Sequence, residues 1–317
     1  MTRAGFGLLT IILLANEASG QVPRANDAAD IPRSAAPRPR MSPADMAVMR
    51  QPLQPIEKIA QDMYVIAGGG GNSIVRVTGK GVLLVDAKNG DKETFDLLVG
   101  QISTVTRQPV RFVINTHGHP DHAGNNGRFE AAGAVVLGQD RSVAHSMEQP
   151  PGVQAPGPPS RVFHEQKKIR FGDATIELRH VVAHTDGDAL VYFPDRKILA
   201  TGDVFTTVPS MAQYASGGSA YGLRDALERI LRYDATVIVP GHGPIVSRSV
   251  IEQRFRDLDI FLARVEAGVR AGTPKEALLS SIKADDISIE PMGFTWNSPS
   301  QLDGLYLEVS AKIGMKP

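Results

Sequence analysis

Three histidines and an aspartate lie within six consecutive positions of this chain. They are His117, His119, Asp121 and His122, in the run Asn-Thr-His-Gly-His-Pro-Asp-His that follows an apolar stretch ending at residue 114. Imidazole and carboxylate groups are ligands of divalent metals, and several of them at a strand end cost free energy unless they bind something. Because the whole chain has only eight histidines in 317 residues, the run predicts a metal site.

Three further polar side chains share one structural position, the point where an apolar strand meets a glycine-bearing loop. His184 opens His-Thr-Asp-Gly-Asp, Asp203 ends Thr-Gly-Asp, and His242 is the centre of Pro-Gly-His-Gly-Pro. Each motif alone is more typical of a turn than of a metal ligand. Their shared position predicts that they join the histidine-rich run in a binuclear site.

The amino-acid composition limits which ligands a metal site can use and which partners the protein can bind. The chain contains no cysteine, which excludes disulfides, thiol nucleophiles and cysteine-based metal sites. Any metal must bind histidines and carboxylates, which favours a hard or borderline ion such as zinc. Basic and acidic residues number 34 each, and this balance is not typical of a nucleic-acid-binding surface.

The elements that must position these residues follow the same order twice: short β-branched strands, a helix and another strand. This order predicts the α/β (α+β) class, as an αββα four-layer sandwich of two facing sheets with helices outside. A doubly wound parallel sheet fits less well, because hairpin spacings outnumber crossover spacings. The predicted strands are 63–66, 73–77, 81–85, 110–114, 134–137, 168–171, 175–182, 189–193, 198–200 and 236–239, and the predicted helices are 92–103, 126–132, 223–231, 247–271, 274–283 and 300–312.

The N-terminal part has a different character. Residues 1–20 combine one arginine, an apolar run of about 10 residues and small residues before Gln21, which is typical of a secretory signal peptide and too short for a spanning helix. Residues 21–55 contain seven prolines and predict a disordered linker, with the folded domain at 56–317. We therefore expect a periplasmic or secreted protein, cleaved near Gly20 and Gln21, without stable membrane insertion.

From about residue 56 to 246, the ordered set of motifs resembles the metallo-β-lactamase superfamily, with a ligand set like that of glyoxalase II. The resemblance implies two Zn²⁺ ions per chain. His117, His119 and His184 would bind the first ion, Asp121, His122 and His242 would bind the second, and Asp203 would bridge them. Asp86, in Leu-Val-Asp after the third predicted strand, matches a position that orients the ligand loop from behind.

The resemblance also implies a metal-dependent hydrolase that acts on a small molecule. Zinc lowers the pKa of bound water toward about 7, so that hydroxide can attack an ester, thioester, lactone or amide carbonyl. Asp121 is the candidate catalytic residue, because a carboxylate at this position can steer the hydroxide and receive its proton.

Several alternatives stay open. The β-lactamases of this superfamily usually have Cys or Ser where this chain has Asp203, and one large group has Lys where this chain has Thr206; both departures disfavour the opening of β-lactam antibiotics. A mononuclear iron dioxygenase of the persulfide type keeps much of the ligand set, which makes iron the alternative metal. A metal-binding protein without turnover is the third alternative.

The loop 204–221 follows Asp203 and is predicted to wall the substrate pocket. Its large side chains could equally pack against the edge of the sheet. The predicted pocket residues are Phe205, Met211, Tyr214 and Tyr221.

Overall fold

The computed structural model describes residue 47 and residues 51–147, 155–208, 212–291 and 294–315. The predicted signal peptide and most of the predicted linker lie outside the described residues. Within the described ranges, no helix combines the length and the apolar composition that crossing a membrane requires.

Within these ranges, two mixed sheets form the centre of the fold. The first has seven strands in chain order: β1 (Glu57–Ala60), β2 (Met63–Ile66), β3 (Ser73–Thr78), β4 (Gly81–Val85), β5 (Val110–Ile114), β6 (Val135–Gln139) and β7 (Arg161–Phe163). Strands β1 to β4 pair antiparallel, and β4 to β7 pair parallel.

The second sheet has five described strands in the order β12-β11-β10-β9-β8. Strands β11 and β12 pair parallel, and the other pairs are antiparallel. The strands are β8 (Gln166–Phe171), β9 (Ala174–Val181), β10 (Asp188–Phe193), β11 (Ile198–Gly202) and β12 (Val237–Pro240).

Helices lie outside each sheet. The helices that connect the strands of the first sheet are α1 (Lys92–Ser103), α2 (Pro120–Ala123), α3 (Asn126–Ala131) and α4 (Ser142–Met147). The remaining helices are α5 (Ala220–Ile230), α6 (Arg248–Arg270), α7 (Lys275–Leu278), α8 (Phe294–Asn297) and α9 (Pro299–Lys312), with 3-10 turns at Tyr214–Ser216 and Leu279–Ser281.

Three buried apolar clusters define the layers. The first lies between the sheets and joins residues such as Leu83 and Ile114 to Val191 and Phe193. The second packs α1 and α3 on the outside of the first sheet, and the third packs α5, α6 and α9 on the outside of the second. Strands β4 and β10 are buried along their whole length because both of their faces are covered. The predicted αββα sandwich is confirmed.

A buried arginine joins the two sheets at the turns between strands. Arg76 on β3 is fully buried, and its Nη2 atom lies 3.2 Å from Asp173 Oδ2 and 3.1 Å from Asp195 Oδ2. Asp173 belongs to the β8–β9 turn and Asp195 to the β10–β11 turn. This ion-pair network therefore fixes the second sheet against the first.

The predicted elements are present, most within two residues of their expected ends, and β1, β7, α2, α4 and α8 are additional. The predicted helix 274–283 is instead α7 followed by a 3-10 turn. The hydroxyls of Ser280 and Ser281 bond to carbonyls three residues earlier, which competes with a regular helix.

The folded part begins before residue 56. The amide of Gly69 donates to the carbonyl of Gln51, and the amide of Gln54 donates to the carbonyl of Ala67. These hydrogen bonds place residues 51–55, the end of the predicted linker, on the domain.

Candidate metal centre

The ends of parallel strands meet at one edge of the sandwich. Strands β4 and β5 run parallel in the first sheet, and β9, β11 and β12 run in one direction in the second. Loops at the carboxyl ends of such strands converge. All of the predicted ligands follow these strands, and their donor atoms form two groups, each within 4.8 Å: His117, His119, His184 and Asp203, and Asp121, His122 and His242.

In the first group, three imidazoles face one point. His119 Nδ1 lies 3.0 Å from His117 Nε2 and 3.1 Å from His184 Nε2. Asp203 Oδ2 lies 4.0 Å from His117 Nε2 and 3.7 Å from His184 Nε2. Three nitrogens and one oxygen thus surround a common centre.

The second group faces the other oxygen of the same carboxylate. His242 Nε2 lies 3.2 Å from His122 Nε2 and 3.1 Å from Asp121 Oδ2. Asp203 Oδ1 lies 3.2 Å from His122 Nε2 and 3.5 Å from His242 Nε2. Asp203 therefore lies between the two groups and turns one oxygen toward each.

These spacings fit metal ions. Ligand atoms about 2.0–2.1 Å from a tetrahedral zinc ion stand about 3.3 Å from one another, which is close to the distances above. Among the described residues, Asp121 Oδ2 and Asp203 Oδ1 are buried without a hydrogen-bond partner. Buried carboxylate oxygens of this kind are costly unless a cation or a proton satisfies them.

Asp86 fixes the segment that carries His117, His119, Asp121 and His122 by hydrogen bonds to Thr116 and His122. Its Oδ1 accepts from the amide of Thr116, and its Oδ2 accepts from Thr116 Oγ1 and from His122 Nδ1, each at 2.8 Å. Thr116 Oγ1 also lies 3.2 Å from His117 Nδ1. His122 donates from Nδ1 to Asp86, which turns its Nε2 toward the centre. Burial opposes protonation of His122, but Asp203, Asp121 and Asp86 outweigh it and raise its pKa well above the usual value, so that a metal ion must displace a proton from this ring.

The electrostatics suit ligand binding. Burial, reinforced by the neighbouring His122, lowers the pKa of His117 well below its usual value, and burial beside His184 lowers the pKa of His119 to about 3. Both rings are therefore neutral at neutral pH. Burial opposes ionisation of Asp203, but His242 and His122 outweigh it and hold its pKa well below the usual range.

Two loops fix His184. Buried Asp188 accepts from the amide of Thr185 at 2.9 Å and from its hydroxyl at 2.6 Å, and burial raises the pKa of Asp188 to about 6. The carbonyl of His184 accepts from the amide of Gln213 at 2.7 Å. The loop after Asp203 thus contacts the backbone of another predicted ligand.

Of the side chains predicted to wall the pocket, Phe205 and Tyr214 lie in the segment after β11, whereas Tyr221 lies in the first turn of α5, and both tyrosines bond to the C-terminal helices. Phe205 is buried in the outer cluster of the second sheet. The hydroxyl of Tyr214 donates to Glu308, and that of Tyr221 donates to Glu266, both at 2.7 Å. Met211 lies outside the described residues, and a contact between this loop and a substrate stays a prediction.

The sequence reasoning missed two features beside the second group. One is the run Gly68–Gly71 between β2 and β3, whose four glycines exceed what a two-residue hairpin needs. The other is Lys88, which is fully buried and for which the sequence offers no signal. Burial lowers the pKa of Lys88 to about 7, against the opposing effect of Asp86 and Asp121.

Comparisons with known proteins agree with this geometry. Residues 66–242 match the family described as the metallo-beta-lactamase superfamily. The chain is 26% identical over 189 residues to metallo-beta-lactamase type 2 of Bacillus cereus, covering 57% of this chain and 70% of that protein. It is 28% identical over 185 residues to a hydroxyacylglutathione hydrolase of Methylococcus capsulatus, covering 56% of this chain and 66% of that protein.

A solved structure shows the same fold. The metallo-beta-lactamase from Pontibacter korlensis superposes with a TM-score of 0.57 at 23% identity, covering 66% of this chain and 99% of that chain. The family match contains all of the clustered side chains and more than half of the sequence. The chain therefore belongs to the metallo-beta-lactamase superfamily.

Proposed function

We propose that this protein is a binuclear zinc hydrolase that cleaves an ester, thioester, lactone or amide bond of a small molecule. The observation that carries the proposal is the position of Asp203, whose two oxygens face two separate groups of ligand atoms. The ligand set consists of histidine nitrogens and carboxylate oxygens without sulfur, and zinc binds such sets in hydrolases.

Seven residues would hold the two ions. His117, His119 and His184 would bind the first ion, Asp121, His122 and His242 would bind the second, and Asp203 would contribute one oxygen to each. Bound zinc supplies Lewis acidity and lowers the pKa of water so that it can attack a carbonyl at neutral pH.

Asp121 is the proposed catalytic carboxylate. Its Oδ2 atom is buried and, among the described residues, has no hydrogen-bond partner. Burial opposes its ionisation, but the neighbouring His122 and His242 lower its pKa below the usual range. The ionised carboxylate can orient the attacking water, and we propose that it also receives the proton, although its lowered pKa makes it a weak base for that step.

The test compares one ligand with a histidine outside the centre. His117→Ala removes a ligand, whereas His164→Ala removes an exposed ring that pairs with Asp140 at 2.6 Å. We expect two zinc ions per wild-type chain and hydrolysis that His117→Ala abolishes and His164→Ala preserves. Equal hydrolysis by the two variants would refute the mechanism.

Opening of β-lactam rings is the second candidate, and the similarity to metallo-beta-lactamase type 2 supports it. Against it, Asp203 replaces the usual Cys or Ser, and Thr206 offers no cation for a substrate carboxylate. The similarity to hydroxyacylglutathione hydrolase supports a thioester substrate. Parallel assays with a chromogenic cephalosporin, a lactone and a glutathione thioester separate these substrates.

Metal content separates the remaining alternatives. Iron together with oxygen consumption would favour the persulfide-type dioxygenase over hydrolysis. Metal uptake without turnover on the whole substrate panel would favour a binding protein.

We further propose export, on the pattern of residues 1–20. Expression of the full chain in a Gram-negative host should give a periplasmic or secreted product whose N-terminus is Gln21. A cytoplasmic product that retains Met1 would contradict export.

A further inference from the structure

A buried lysine lies beside the second group of ligands. Lys88 follows β4 and is fully buried. Its Nζ atom donates to the carbonyl of Ile66 at 2.5 Å and to the carbonyl of Gly71 at 2.6 Å. These two carbonyls lie at the two ends of the segment 67–72 that joins β2 to β3, which we term the glycine loop. The amino group of Lys88 therefore closes this loop.

The glycine loop contacts the ligands of the second group directly. The amide of Gly71 donates to the carbonyl of Asp121 at 2.9 Å. A Cβ atom on Gly71 would lie 2.2 Å from Cε1 of His122, so that the bare backbone packs against this imidazole. The loop thus touches two of the three ligands that belong to the second group.

The same loop reaches the third ligand through Asn72. Its amide donates to the carbonyl of Gly241 at 2.7 Å. Its Nδ2 atom donates to the carbonyls of Pro240 at 2.9 Å and Gly243 at 2.8 Å. These carbonyls flank His242. One loop therefore connects all three ligands of the second group, although they come from both sheets.

The backbone around Lys88 completes the support. Asp86 and Lys88 both have left-handed φ values, 60° and 63°, which non-glycine residues rarely adopt. The amide of Ala87 donates to the carbonyl of His122 at 2.5 Å, and the amide of Gly124 donates to the carbonyl of Lys88 at 3.0 Å. Such backbone strain persists where the surrounding contacts require it, and it clusters at functional sites.

We propose that Lys88 is a positioning residue for the second metal site: by clamping both ends of the glycine loop, it holds Asp121, His122 and His242 in the geometry that binds the second ion. A lysine suits this task because its amino group lies at the end of a long stem and has enough donors for two carbonyls. The first site receives no hydrogen bond from the glycine loop among the described residues. The proposal rests on the proposed binuclear function and deepens it.

The experiment measures metal binding rather than turnover. Lys88→Met keeps the length of the side chain and removes its charge and donors, and Lys80→Met removes an exposed lysine from the β3–β4 turn as a matched control. Metal-free protein is titrated with Zn²⁺ against a chromophoric chelator and with Co²⁺ by absorption spectroscopy. We expect wild type and Lys80→Met to bind two ions, and Lys88→Met to bind the first normally and the second 10- to 100-fold more weakly.

The failure of each proposal gives a different result. Wild-type protein that binds fewer than two ions refutes the binuclear function itself. Wild type with two ions and Lys88→Met with unchanged affinities refutes only the role of Lys88, as does an equal loss of both ions.

A measurement on the wild type keeps the proposal testable if Lys88→Met does not fold. In the metal-free protein, we expect hydrogen exchange at the Gly71 and Asn72 amides to be as slow as in the neighbouring strand β3. Exchange at the rate of an open loop would show that nothing holds the glycine loop in place before the metal binds, and would overturn the proposal.

Discussion

Replacing Asp86 with asparagine should weaken one metal site far more than the other. The side chain accepts three hydrogen bonds at 2.8 Å, two from Thr116 and one from His122 Nδ1. An asparagine side chain has one accepting oxygen and one donating nitrogen. In one orientation its NH₂ group faces the amide of Thr116, and in the other it faces Nδ1 of His122, so that two hydrogen-bond donors meet in either case. His122 loses a charged acceptor in either orientation.

The expected magnitude follows from that lost contact. A hydrogen bond to a charged group contributes about 1.5–3 kcal/mol, and 1.4 kcal/mol is a tenfold change in affinity. We therefore expect the affinity for the second ion to fall about 10- to 100-fold. The first site should change less, because Asp86 reaches His117 only indirectly, through the amide and the hydroxyl of Thr116.

The assay is the Zn²⁺ and Co²⁺ titration of metal-free protein, with Asp257→Asn as a matched control. Asp257 is also buried and accepts from the amide and hydroxyl of Ser288, but it lies on α6 in the C-terminal helices. Both variants should lose stability, and only Asp86→Asn should lose the second ion. Equal metal binding by the two variants would refute the orienting role of Asp86.

Three further outcomes follow from the structure. Removal of the metal with a chelator should lower the melting temperature by about 5–10 °C. A ligand at 100 times its Kd stabilises the folded state by about 2.7 kcal/mol, and each kcal/mol shifts the melting temperature of a domain of this size by about 2–4 °C. An unchanged melting curve would argue against a resident metal. Arg76→Met should lower the free energy of unfolding, measured in urea, by about 1–3 kcal/mol. The loss should be smaller than for a fully buried ion pair, because the side chains of Asp173 and Asp195 are 60% and 27% exposed and can be hydrated. The zinc content should not change, and a loss of metal would contradict a purely structural role. Gly71→Ala should displace the ring of His122 and lower the zinc content from two ions to one, whereas Gly79→Ala, with nothing within 4 Å of the added methyl group, should bind both.

The sequence predicted the fold well because the patterns that carry it are local. Strand β4 consists of a glycine and four apolar residues, and α1 begins after Asp91, whose side chain caps the amide of Thr94. Such signals extend over a few residues and need no knowledge of the tertiary structure. The short strand β7 was missed because three residues carry too little periodicity.

The candidate ligands were also predictable from the sequence. His117, His119 and His122 are close in the chain, and the more distant residues each follow a strand end, so that the same edge of the sandwich collects them. Lys88 carries no comparable signal. A lysine after a strand normally lies in solvent, and its burial depends on carbonyls 22 and 17 positions away.

The sequence by itself determined which side chains can bind metal, which strands they follow and the layered arrangement of the sheets, because residue type and short-range spacing are properties of the chain alone. Only the tertiary structure decided that the two oxygens of Asp203 face different groups and that Asn72 bonds to a carbonyl 168 positions away. Contacts of this kind arise when the two sheets pack face to face, and their partners share no local pattern from which the pairing could be predicted.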